Sequence, residues 1–118
     1  MAETLIPQNV AVNPVNGLRV RLGHNVETLA DAKTLLPQDA QFQLLDPDGG
    51  HRDITLPAEE ASQGLFFIIK NTAGGAENLV VMDDTGAPGT KETLGQGKWG
   101  IVMCDGTSWE TMGVLSHA

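Results

Sequence analysis

Leu94-Gly-Gln-Gly-Lys-Trp-Gly-Ile-Val-Met-Cys-Asp-Gly-Thr-Ser-Trp109 decides the fold. Gly95-Gln96-Gly97 reads as a turn, Lys98 to Cys104 as a strand, Asp105-Gly106 as a tight turn, and Ser108 to Leu115 as a returning strand. An Asp-Gly step between two apolar runs is hairpin punctuation, because glycine supplies the positive backbone angle that such turns require. The same grammar recurs toward the N-terminus.

Thr90 to Leu94 is a short strand ahead of the quoted stretch. Leu18-Arg-Val-Arg-Leu22 alternates apolar and basic residues, as a half-buried strand should. Gln41 to Asp46 alternates likewise and stops at Pro47-Asp-Gly-Gly50, while Arg52 to Leu56 resumes the pattern and halts at Pro57. Gly64-Leu-Phe-Phe-Ile-Ile-Lys-Asn71 is a continuous apolar run, which predicts a central strand covered on both faces. Thr72 to Ala76 reads as a hairpin connection to a returning strand within Glu77 to Asp83. Glu27 to Leu36 has Leu29, Ala32 and Leu36 at helical spacing, and fits either a turn or two of helix or a short strand at Lys33 to Leu36. These 118 residues with 14 glycines and 6 prolines predict one all-β domain, a compact β-sandwich or β-barrel of short antiparallel strands.

The first seventeen residues differ in character. Pro7, Asn9, Asn13, Pro14 and Asn16 interrupt Leu5, Ile6, Val10, Val12 and Val15, and Glu3 is the only charged side chain. Proline blocks regular strand pairing, yet the segment is too apolar for a solvated tail. Two readings fit: an extended arm over residues 1–17 lying on another surface, ahead of a β domain at 18–118, or an edge strand packed on its own domain. The first makes Leu5, Ile6, Pro7, Val10, Val12, Pro14 and Val15 the candidate contact residues.

Seven basic against fifteen acidic residues give a net charge of −8, and Arg19, Arg21 and Arg52 are dispersed. A nucleic-acid duplex or an anionic membrane is repelled by that field, so neither is expected as a partner. No apolar stretch reaches the roughly 20 residues that span a bilayer, and Met1 to Pro7 lacks the regions of a signal peptide. A chain made in a cytoplasm is the expectation. Phe42, Phe66, Phe67, Trp99 and Trp109 are the only aromatics, few for a protein that stacks bases or sugars.

Little here predicts chemistry. Asp46-Pro-Asp48-Gly-Gly-His51-Arg-Asp53 lacks a calcium loop's third ligand at Gly50 and its bidentate glutamate at Pro57, so it reads as a polar turn. Asp83-Asp84-Thr85-Gly86 reads as another turn, and Glu59-Glu60 as a solvated loop or the start of one helical turn. His24, His51 and His117 lack metal-ligand spacing, and Ser62, Ser108 and Ser116 sit in no nucleophile elbow. No cofactor, metal or catalytic residue is expected. Cys104 lies in an apolar run and reads as a small buried hydrophobe. Trp109 opens its strand beside a turn, where its ring can cover the end of the core. Trp99, between Lys98 and Gly100, is the candidate for an oligomer interface.

Thr34 to Asp46, then Asp53-Ile-Thr-Leu-Pro57, then Gly64 to Thr72, then Leu94-Gly-Gln-Gly…Cys-Asp-Gly-Thr-Ser-Trp109 together resemble a pattern in small structural proteins of tailed bacteriophages. The pattern runs from a "v-T-L-P" strand to "G-x-x-F-x-I-x-N" and ends on "D-G-x-x-W". It covers residues 34 to 115 and occurs in capsid decoration (cement) proteins and in tail-fibre and spike modules. The resemblance implies a non-enzymatic β protein, commonly a homotrimer, on the virion exterior, with the major capsid protein as partner. A separate decoration protein bridging capsomers is the expectation, and a tail-fibre or spike-type receptor-binding module the alternative.

Overall fold

Alternating apolar and polar residues, cut by Gly, Pro and Asp turns, give strands in every described part of the chain. The structure, a computed structural model, describes residues 10–13, 17–85 and 89–116. In chain order the strands are β1 (Val10–Asn13), β2 (Gly17–Val20), β3 (His24–Thr28), β4 (Lys33–Thr34), β5 (Phe42–Asp46), β6 (Arg52–Thr55), β7 (Phe66–Asn71), β8 (Leu79–Met82), β9 (Thr90–Leu94), β10 (Lys98–Cys104) and β11 (Trp109–Ser116). Among the described residues a single 3-10 turn covers Glu59–Ala61. The fold is all-β.

Two larger sheets carry it, one ordered β11-β10-β7-β5-β3 and the other β4-β6-β8-β9. From β3 to β8 the chain alternates between them, so each pass through one sheet runs the same way as the last. β3 therefore lies parallel to β5 and β5 to β7, while β4 lies parallel to β6 and β6 to β8. Within these two sheets, antiparallel pairing begins with β8 and β9 and closes the fold with β10 between β7 and β11.

The expectation of antiparallel strands throughout is thus corrected to two mixed sheets. The physical reason lies in the connections: Pro47 to His51 and Thr72 to Asn78 carry the chain across to the opposite sheet. They do not fold a strand back on its neighbour. Thr72 to Ala76 is accordingly a crossover, since β7 and β8 belong to different sheets. The closing hairpin is as expected, with Cys104 opposite Trp109 and Gly106 at φ 96° in its turn. At Glu27 to Leu36 the strand reading holds, and β4 is its short product.

Inward residues of the two sheets form one core. Leu45, Phe67, Ile69, Val102 and Trp109 of the five-stranded sheet pack on Ile54, Leu79, Val81 and Leu94 of the other. Cys104 is buried, as its apolar run predicts; its thiol donates to the Glu59 carbonyl at 3.5 Å and its sulfur accepts the Gly106 amide at 3.4 Å. Trp109 stacks on Phe67 with ring centroids 5.9 Å apart, and its indole N–H donates to the Pro57 carbonyl at 2.8 Å. No described buried side-chain N or O atom lacks a hydrogen-bond partner, so the interior's polar groups are spent on holding shape.

β1 pairs with β2 alone, in a two-stranded sheet separate from the others. Of the candidate arm residues, Val10 and Val12 lie in β1; Leu5, Ile6, Pro7, Pro14 and Val15 lie outside the described residues.

Candidate functional site

A strand buried on one side of a sheet points every second residue away from the core. On β7 the inward set is Phe67, Ile69 and Asn71, and the outward set is Phe66, Ile68 and Lys70. β7 is the middle strand, as its apolar run predicts, but among the described residues the second sheet covers only one of its faces. That is a correction with a consequence: the outward side chains are half-buried, and nothing in the second sheet reaches them.

Register places the other outward residues in rows across the sheet. Val26, Leu44, Lys70, Trp99 and Leu115 form one row; His24, Phe42, Ile68, Ile101 and Gly113 form the next. Phe66, Met103 and Glu110 make a third row at the β7 to β11 side. Val26 is 71% exposed and Leu115 53%, and Met112 at the register shift of the β10–β11 ladder is 62% exposed. A shallow groove of about 340 Å³ crosses the middle, lined by Phe42, Leu44, Ile68, Lys70 and Trp99. Trp99, the sequence's oligomer-interface candidate, therefore sits on an apolar sheet face.

Sequence reasoning singled out Trp99 and missed its companions. A signal was there: in β10 both alternating sets, Trp99-Ile101-Met103 and Gly100-Val102-Cys104, are apolar, so whichever set turns outward leaves apolar surface.

Most of the candidate chemical groups are engaged by structural hydrogen bonds. Arg52 donates to the Pro47 and Asp48 carbonyls, and Asp46 accepts the Asp48 amide, so the acidic turn is braced by its own arginine and backbone. His51 accepts the Asn78 amide at 2.8 Å, His24 lies at the start of β3, and His117 is outside the described residues. Ser62 donates to the Ala58 carbonyl and Ser108 to the Glu110 carboxylate. Ser116 ends β11. Among the described residues, no group of three or more His, Cys, Asp and Glu side chains is arranged to hold a metal ion. Glu59 and Glu60 open the 3-10 turn, the helical alternative for that pair.

Three carboxylates titrate below their ordinary range. The hydroxyl and then the amide of Thr85, with Lys91 at 3.8 Å, hold Asp83 down. The Ser108 and Thr107 backbone amides do so for Asp105, and the Asn25 side-chain amide and Lys33 for Glu27. A depressed folded-state value contributes stability that is present above the unfolded value and lost as pH falls through the folded one. The urea midpoint is expected to drop as pH falls through and below the unfolded carboxylate value of about pH 4. Asp83→Asn should shrink that drop; an acid limb unchanged in this variant would remove Asp83 from the account.

In comparison with known proteins, the chain matches no family, no curated protein and no solved structure.

Proposed function

We propose that the chain is a non-enzymatic capsid decoration protein that binds the exterior of a phage head across capsomer boundaries, with the major capsid protein as partner and a homotrimer as the working unit. The observation that carries this reading is the apolar outer face of the five-stranded sheet, half-buried to exposed among the described residues, on a framework whose described buried polar side chains all have partners. Such a molecule does work by contact. The resemblance over residues 34 to 115 supplies the setting, and residues of its three motifs meet inside the fold. Trp109 of the closing motif donates to Pro57 of the first, and Asn71, which ends the second, donates to the Leu94 carbonyl at the start of the closing stretch.

A decoration protein stabilises a shell by burying surface on two shell proteins at once, so that separating them also breaks its own contacts. About 800 Å² per partner suffices for a specific interface, and several copies on one symmetry axis multiply the effect. The net charge of −8 keeps free copies dispersed before docking.

Cosedimentation with undecorated heads of tailed phages tests the proposal. The full chain is expected to pellet with heads, and deletion of residues 1–17 is expected to abolish pelleting while circular dichroism of the β domain is preserved. Pelleting of the truncated chain at full affinity would remove the arm from the mechanism. The receptor-binding alternative draws on the groove beside Trp99, where an aromatic face and Lys70 lie together. Binding of a sugar on a glycan array, lost in Trp99→Ala, would favour it.

A further inference from the structure

We propose that the outer face of the five-stranded sheet seats a second copy of this chain. The inference deepens the decoration reading by dividing its contacts: copies meet through the sheet, and the shell is engaged by residues 1–17.

The composition of the face comes first. Phe42, Phe66, Ile68, Trp99, Ile101 and Met103 occupy its middle, and Lys70 is the one charged side chain among them. Aromatic and methionine enrichment with depleted charge marks the buried centre of protein interfaces, where bulk surface is far richer in charge. The remaining ionisable groups, His24, Asp46 and Glu110, lie at its margins.

Charge then selects the occupant. A foreign partner recognised electrostatically needs a field of one sign, and this face has none, although the chain as a whole carries −8. It bears a central cation and acidic margins, so a second copy brings its own Glu110 or Asp46 for Lys70. Self-complementarity of this kind is what a two-fold contact between like subunits demands, so this face pairs two copies and a threefold contact would use other surfaces.

Area agrees. Five strands about 4.8 Å apart span about 24 Å, and the outward residues run some 20 Å along them, which gives about 480 Å² in projection. Two such faces, with Met112 and Leu115 at the rim, approach the lower limit of about 1,200 Å² for specific interfaces, the range of reversible, micromolar association.

Sedimentation velocity of the full chain from about 1 to 200 µM is the test, with self-association expected in the micromolar range. Met103→Glu, at an exposed position that tolerates a charge, is expected to weaken it about tenfold or more. Ile101→Glu at the centre should leave a monomer, with circular dichroism reporting that each variant is folded. Emission from Trp99 should shift to the red on dilution of the wild-type chain, because the buried Trp109 stays dry. A wild-type chain that remains a 12.5 kDa monomer at the highest concentration would overturn the assignment. So would folded Met103→Glu protein that associates undiminished. The two readings fail separately: association without pelleting on heads sinks the decoration reading alone, and pelleting by a monomeric chain sinks this inference and the oligomeric working unit while leaving decoration itself standing.

Discussion

Trp109→Ala is expected to cost about 3–5 kcal/mol of folding stability, the range for removing a large aromatic from a packed core. A domain of this kind holds only about 5–15 kcal/mol in total, so the variant should be largely unfolded at modest urea. Three losses combine. The indole is 1% exposed and its removal leaves a cavity between the sheets. The Phe67 ring loses its stacking partner. The Pro57 carbonyl loses its 2.8 Å donor in a place that Leu56 and Pro57, both buried, keep from water. Trp109→Phe separates these effects, because a smaller ring keeps most of the packing and deletes the donor. It should cost about 1–3 kcal/mol, the range for a stranded buried acceptor. Equal urea midpoints for the alanine and phenylalanine variants would show that ring burial contributes nothing beyond the hydrogen bond, contrary to the packing described here.

Trp109 also shows how far the sequence can be read. A tryptophan just after Asp105-Gly106 announces a strand start, and the turn residues supply the hairpin, so β10, β11 and their pairing were legible. So was β9, whose Thr90 to Leu94 bounds match the structure. Neighbour relations were not legible. Alternation tells which side of a strand is buried and says nothing about which strand lies beside it, so a chain that winds between two sheets writes the same local pattern as one that folds back. The outer face was half legible: β7 and β10 each carry apolar residues on both sides, and the expectation of cover was drawn from β7 alone. Only the topology reveals that the chain's second sheet covers one side alone. β4, two residues long, is set by its ladder to β6 and not by any pattern of its own.

Asn71 was read only as the end of an apolar run, and the structure gives it a larger task. Its side chain is fully buried. The amide nitrogen donates to the Glu77 and Leu94 carbonyls, each at 2.8 Å, and the side-chain oxygen accepts the Ala73 amide at 2.8 Å. One residue thereby ties the end of β7, the crossover to β8 and the end of β9 into a single junction. Asn71→Asp changes no volume and replaces that nitrogen with an oxygen facing two carbonyls. The charged form is repelled there and unhydrated, so the folded state takes up a proton and the folded-state pKa of the new carboxyl rises above its unfolded value near 4. With that sign, the penalty is small below pH 4 and grows by about 1.4 kcal/mol per pH unit until the folded value is reached. A loss of about 3–5 kcal/mol at neutral pH is the expected size for an uncompensated buried charge. Both proteins lose stability toward acid through Asp83 and Glu27, and the gap between their curves should close as pH falls because the new carboxyl becomes protonated. Chemical denaturation of both proteins at pH 4, 5.5 and 7 reads this directly. A gap between them that stays constant across the three values would mean that the new side chain reaches water, and that the junction opens more easily than its hydrogen bonds imply.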